Sequence, residues 1–261
     1  VINGFKEADR GKLIMAPGTG KTYTSMVIAE KMAEKKDGPF RVLYLVPSIQ
    51  LLSQSLRGWT ADSKYRYDMD TFAVCSDRKV TKKVKGENEF EDIAAADLGY
   101  PATTDYEKLL ERQKTIDSAD SQSKFLVVFS TYQSIDVIIE AQKNGFYEFD
   151  LVVCDEAHRT TGATEAGKEA SAFVKVHSDD NIKAKKRLYQ TATPRIYGED
   201  AKQKADEMSV VIADMNDETI YGEELYRIGF GDAVNKGILT DYKVMVLAVD
   251  EEMIARSFQN M

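Results

Sequence analysis

The segment Met15-Ala16-Pro17-Gly18-Thr19-Gly20-Lys21-Thr22 gathers two glycines, a lysine and hydroxyls into one short turn. It follows an apolar run and opens a helical pattern. That is the context in which a backbone loop binds phosphate. The glycines let peptide N–H groups turn inward toward phosphate oxygens. The helix that follows adds the partial positive charge of its N-terminus. Pro17, Gly18, Thr19, Gly20, Lys21 and Thr22 are therefore the expected nucleotide-binding residues. Lys21 would reach the β- and γ-phosphates, and Thr22 would ligate Mg²⁺ through its hydroxyl.

A second stretch, Asp150-Leu151-Val152-Val153-Cys154-Asp155-Glu156-Ala157-His158, ends an apolar run in two adjacent carboxylates. Neighbours at a strand end point in different directions, so the pair can divide two tasks. Asp155 would hold Mg²⁺ through water, and Glu156 would orient and activate an attacking water. Phosphoryl transfer to water needs little beyond such positioning and charge neutralisation. Alone, a carboxylate pair after a strand is usually a solvated strand end; a phosphate loop upstream changes that reading. A third stretch, Leu188-Tyr189-Gln190-Thr191-Ala192-Thr193-Pro194, ends in two hydroxyls before a proline that stops the strand. Thr191 and Thr193 could hydrogen-bond His158 or the carboxylates and so transmit nucleotide state.

These residues need a scaffold. Short, continuous apolar runs recur at Leu13–Ala16, Val42–Val46, Thr71–Cys75, Phe125–Phe129, Leu151–Cys154, Arg187–Gln190 and Lys243–Val249. Runs without alternation suit parallel strands buried on both faces. Helical patterns lie between them, at Lys21–Lys35, Ile49–Trp59, Tyr106–Lys114, Ser134–Lys143 and Gly167–Val176. Strand–helix alternation predicts βαβ units and a doubly wound sheet. Residues 60–123 are polar and long for a crossover, so they are expected to be an insertion with one strand and one or two helices. Residues 198–242 are acidic and are expected to be helical, leading to a last strand.

Composition narrows the classes. The 261 residues are 43% hydrophobic, enough for a real core. No apolar run approaches the length needed to span a bilayer, and the start lacks a secretory pattern. The absence of an initiator Met suggests an excised fragment. Cys75 and Cys154 are too few for a disulfide scaffold and are expected as buried free thiols in a reducing, cytoplasmic compartment. A net charge of −8 argues against a protein that coats nucleic acid through bulk positive charge. It leaves room for a local nucleic-acid groove. The basic run Arg78, Lys79, Lys82, Lys83 and Lys85 could follow a DNA backbone, but a solvated loop explains it as well, as it does Lys183, Lys185, Lys186 and Arg187. Trp59 reads as a packing residue, and His177 as solvent-facing.

Taken together and in this order, the three stretches resemble the motor of superfamily 2 helicases and translocases. Gly18-Thr19-Gly20-Lys21-Thr22 is similar to its motif I, Asp155-Glu156-Ala157-His158 to motif II in the DEAH form, and Thr191-Ala192-Thr193 to motif III. The resemblance implies a three-layer α/β RecA-like P-loop NTPase domain with a mostly parallel sheet. It implies ATP and Mg²⁺ as cofactors, and Lys21, Asp155 and Glu156 as catalytic residues. It also implies nucleic-acid backbone contacts at Pro47, Ser48 and Gln50, and at Ser130, Thr131 and Tyr132. The finer resemblance is to ATP-dependent restriction enzymes, Type ISP first, with Type I and Type III motors near it. That implies movement along duplex DNA, with nuclease and methyltransferase domains in the parent chain or subunits and no membrane partner.

The chain departs from the family at Met15, where Gly or Ala is usual, and an adenine-reading Gln upstream of the loop is missing. Its length suits one RecA-like lobe at 1–197, with 198–261 leading toward a second lobe that would bring arginine fingers. The fragment alone is therefore expected to bind Mg-ATP weakly and turn over very slowly. An RNA helicase of the DEAH type shares these motifs. A nucleotide-gated binding module would not need Glu156, and a small-molecule P-loop kinase leaves Asp155–His158 unexplained.

Overall fold

Ten strands and five principal helices account for most of the chain described by a computed structural model, which covers residues 1–75, 102–119, 122–165, 171–198 and 210–241. The strands are β1 (Arg10–Met15), β2 (Phe40–Val46), β3 (Met69–Val74), β4 (Ala102–Thr103), β5 (Phe125–Thr131), β6 (Leu151–Cys154), β7 (Gly162–Glu165), β8 (Arg187–Thr191), β9 (Val210–Ala213) and β10 (Glu223–Ile228). The helices are α1 (Gly4–Glu7), α2 (Lys21–Ala33), α3 (Ile49–Asp62), α4 (Tyr106–Asp117) and α5 (Ile135–Lys143).

Eight strands form one sheet in the order β10-β1-β8-β6-β2-β5-β3-β4, while β7 and β9 make a separate antiparallel pair. Every pairing in the large sheet is parallel. Along β2, Val42, Tyr44 and Val46 join one core cluster, and Leu43 and Leu45 join the other. Both faces are thus buried, which is why these runs show no alternation. Helices α2 and α3 cover the first face through Met26, Ala29, Leu52, Leu56 and Trp59. Helices α4 and α5 cover the second through Leu109, Ile135 and Ile138. This is the three-layer RecA-like arrangement expected. Trp59 is fully buried, edge-on to Tyr44 at 5.3 Å and to Phe129 at 5.8 Å. Its packing role is thus met, and truncating such a ring typically costs ~3–5 kcal/mol.

Ser48 and Asp105 are the caps that start α3 and α4. Ser48 Oγ accepts from the Leu51 amide at 3.3 Å, and Asp105 Oδ1 from the Glu107 amide at 2.9 Å. Each satisfies an amide that the helix leaves unpaired.

Several expectations change. The acidic stretch after 198 is not simply helical. Within its described part, β9 pairs with β7, and β10 forms the outer edge of the main sheet beside β1. The two helices there, Glu218–Tyr221 and Phe230–Asn235, are short. Of the helix expected over Gly167–Val176, residues 172–174 form a turn, followed by the 3₁₀ helix Lys175–His177. The described part of residues 60–123 contributes β3, β4 and α4; the basic run 78–85 lies outside the described residues, as does the strand expected at Lys243–Val249. Arg187 is buried, not solvated: its guanidinium donates to the Val176 and Ile182 carbonyls and pairs with Asp179. Lys185 and Lys186 pair with Asp150 and Asp9. His177 is largely enclosed, with Tyr189 Oη 3.1 Å from Nδ1 and the Thr160 carbonyl 3.0 Å from Nε2. Cys75 and Cys154 are both buried, as expected, and burial pushes the Cys154 thiol up to about 12. Among the described residues no helix is long and apolar enough to cross a membrane.

Candidate active site

The strand order sets the site. Neighbouring strands β1, β8 and β6 carry the three chemical stretches at their C-terminal ends, with β8 in the middle. Open α/β sheets place ligands at that edge. Residues far apart in sequence therefore meet within one crevice.

The phosphate loop follows β1. Gly18 has φ 79° and Gly20 φ 86°, a left-handed region that costs other residues energy. Gly20 is also the N-cap of α2 and offers no side chain to its first amides. Those N–H groups remain directed toward the loop mouth, where an anion would complete them. Thr19 Oγ1 donates to the Ala16 carbonyl at 2.6 Å and closes the loop on itself. The Ala16 amide donates to the Ile228 carbonyl at 3.0 Å, so β10 braces the loop from outside. Nothing in the motif reading pointed to that support.

A cavity of about 440 Å³ opens beside the loop, lined by Gly18, Gly20, Lys21, Thr22, Asp155 and Glu156 and by α3. Asp155 is 4% exposed. Its Oδ1 accepts from Gln190 Nε2 and from the Glu156 amide, both at 2.9 Å. Burial pushes its carboxyl above the ordinary value and the Glu156 charge adds to this; Gln190, the Glu156 amide and Lys21 oppose it. A cation in the cavity would favour the ionised form. The available donors are hard oxygens from Thr22 and Asp155, which suit Mg²⁺.

Glu156 has φ 48°, the one positive φ of a non-glycine residue among the described residues. Such strain tends to be retained at functional positions. It turns the chain sharply after β6, separating the Glu156 carboxylate from that of Asp155. His158 Nδ1 lies 3.3 Å from Glu156 Oε2 and 2.9 Å from Thr191 Oγ1. An ionised carboxylate only accepts, so the first contact is attractive when Nδ1 carries the proton. Burial holds His158 below its ordinary pKa; Glu156 acts against this, and Arg159, Arg195 and Lys21 with it. Thr191 is buried and also accepts from the Thr193 amide at 3.1 Å. The Thr193 side chain is exposed, so it joins the cluster through its backbone only.

The expected nucleic-acid contacts divide. Gln50 is exposed and Ser48 half-exposed, its hydroxyl engaged as the α3 cap. Pro47 is buried, and its carbonyl accepts from Gln133 Nε2 at 3.1 Å. Ser130, Thr131 and Tyr132 are buried as well, so their side chains present no surface in this conformation. Tyr132 Oη instead donates to the Asp155 carbonyl at 2.9 Å, tying the end of β5 to the carboxylate turn.

The family model for the Type III restriction enzyme res subunit, ResIII, matches residues 1–196. The chain belongs to this family. This ResIII chain is 26% identical over 247 residues to the probable helicase A859L of African swine fever virus (isolate Tick/South Africa/Pretoriuskop Pr4/1996), covering 94% of the present chain and 22% of the viral one. It is similar to the ATP-dependent Type ISP restriction-modification enzyme LlaBIII bound to DNA, with 56% identity and a TM-score of 0.80 over 99% of this chain and 16% of that one. It is also similar to a nuclease-deletion mutant of the Type ISP enzyme LlaGI in complex with a DNA substrate mimic, with 48% identity and a TM-score of 0.70 over 91% of this chain and 19% of that one. This ResIII chain thus spans a minor part of the length of each relative.

Proposed function

We propose that this chain is the ATP-binding lobe of a helicase or translocase that hydrolyses ATP with Mg²⁺ and moves along duplex DNA as part of a restriction enzyme. One observation carries the reading: the ends of β1, β8 and β6 bring the phosphate loop, the Asp155–Glu156 pair and the His158–Thr191 contact to a single crevice. The similarity to Type ISP enzymes seen with DNA supports DNA as the track.

Each residue has a derived task. The uncapped amides of α2 and the Lys21 ammonium hold the β- and γ-phosphates and neutralise charge that builds in transfer. Mg²⁺, held by Thr22 and Asp155, would share that neutralisation between the two phosphates. Glu156 orients the attacking water and takes its proton as the bond to the γ-phosphorus forms and the bond to the β–γ bridging oxygen breaks, that oxygen leaving with the electron pair on ADP. His158 then feels the changed charge on Glu156 and passes it to Thr191 and β8. Ser48 and Gln50, at the start of α3, are placed to meet a DNA backbone. A second RecA-like lobe, with its arginine fingers, and the nuclease and methyltransferase domains of the parent protein are the remaining partners. The isolated lobe is correspondingly a weak, very slow ATPase.

The test is the ATPase rate of the full-length parent protein with duplex DNA, single-stranded DNA and RNA in parallel. Stimulation by duplex DNA is expected. Stimulation by RNA alone would transfer the chain to the RNA helicases and overturn the restriction reading.

A further inference from the structure

The strand β8 was read as an apolar run, yet Gln190 within it is fully buried. Its Nε2 lies 2.9 Å from Asp155 Oδ1 and 2.9 Å from Tyr44 Oη. The atom facing an ionised carboxylate must be the amide nitrogen, because a carboxylate only accepts. Both protons of that nitrogen are thereby placed. Tyr44 projects from β2 and is also fully buried. One continuous path therefore runs from Asp155 through Gln190 to Tyr44.

The arrangement has a cost. Gln190 Oε1 is buried with no hydrogen-bond partner among the described residues. An orphaned acceptor is expensive, and an apolar residue of similar shape would avoid the loss. Packing alone gives no reason to keep an amide here. The end of the path does: Asp155 is a side chain assigned to the metal.

We propose that Gln190, anchored in turn by Tyr44, is a positioning residue that fixes the Asp155 carboxylate toward a divalent cation. The inference rests on the reading of Asp155 as a Mg²⁺ ligand. Oδ1 of Asp155 is occupied by Gln190 and the Glu156 amide, so Oδ2 is the oxygen left to face the cation. Without the amide, the carboxylate can rotate about its Cβ–Cγ bond. Without the phenol, the Gln190 amide loses its second acceptor and can turn away from Asp155.

The test uses the full-length parent protein and Mn²⁺ as the probe, read by electron paramagnetic resonance in the presence of nucleotide. Three variants are compared: Asp155→Asn, Gln190→Met and Tyr44→Phe. Nucleotide affinity is measured separately in EDTA with a fluorescent analogue. Asp155→Asn is expected to abolish specific Mn²⁺ binding. Gln190→Met keeps shape and removes the donor; it is expected to weaken Mn²⁺ binding by about 10-fold or more. Its metal-free nucleotide affinity should not change, and its turnover should recover at high metal. Tyr44→Phe retains the ring packing, so it serves even if Gln190→Met fails to fold, and should shift Mn²⁺ affinity the same way. Unchanged Mn²⁺ affinity in Gln190→Met and Tyr44→Phe, with binding lost in Asp155→Asn, would overturn the brace alone. Intact binding in Asp155→Asn would overturn the ligand assignment beneath it.

Discussion

The imidazole Nδ1 of His158 stands 2.9 Å from Thr191 Oγ1 and 3.3 Å from Glu156 Oε2, joining the carboxylate proposed to activate water to the middle strand of the site. Removing the hydroxyl breaks this link without disturbing the phosphate loop. Thr191→Val in the parent protein should bind ATP normally and lose about 10-fold or more of DNA-stimulated ATPase, the effect of one broken buried hydrogen bond. Equal loss of basal and stimulated rates would show that Thr191 does not couple.

Glu156→Gln keeps size and backbone turn but cannot take a proton. Turnover should fall by ~10²-fold or more while ATP binding persists. Single-turnover hydrolysis beside a nucleotide-binding titration separates the two. Normal turnover in this variant would remove Glu156 from the reaction.

Gly20→Ala tests the loop geometry. Among the described residues beyond its chain neighbours, no atom stands within 4 Å of an added Cβ, so crowding is not the issue. The φ is 86°, and placing a side chain in the left-handed region costs ~1–2 kcal/mol. Nucleotide affinity should drop roughly tenfold through a shifted loop, measured by calorimetry. An unchanged affinity would mean the loop is free to relax without cost to binding.

His177 makes a pH-dependent contribution. Burial holds it at about 4 against an ordinary value of 6.5; Arg10 and Arg187 add to this, and the Thr160 carbonyl opposes it. Between those values the unfolded chain binds more protons than the folded one. Stability from this group is therefore complete above pH ~6.5 and falls as pH drops toward 4, by roughly 3 kcal/mol in all. Denaturant melts at pH 7.5 and pH 5 should show the greater part of that loss, and His177→Gln should flatten the slope. An NMR titration giving His177 a pKa near 6.5 would contradict the assignment.

Much of this site was legible because its chemistry is local. A loop such as Gly18–Thr22, or the pair Asp155–Glu156, declares itself in adjacent residues. The strands were legible because burial on both faces leaves unbroken apolar runs, as in Phe125–Phe129. What was hidden depends on neighbours in space. Gln190 looked like one more strand residue until β6 and β2 placed Asp155 and Tyr44 around it. The family resemblance implied a surface contact at Tyr132, yet its hydroxyl is used internally. The strand β10 was missed because its exposed outer edge gives Glu223-Glu224-Leu225-Tyr226-Arg227-Ile228 a charged composition that resembles a helix.

The sheet order also bears on how the lobe comes into being. Strand β1 pairs with β8 and β10, and with no strand made soon after it. During synthesis the phosphate-loop strand must wait, unpaired, until the chain has grown past Thr191. At ~5–20 residues per second that interval lasts on the order of ten seconds or more. Over that time β2, β5 and β3 can already zip together, since their partners are nearer in the chain. The half that carries the candidate site is thus the late half, with long loops to close before its contacts form. A nascent chain stalled before β8 would carry every residue of the Gly18–Thr22 loop and have no neighbouring strand to hold it.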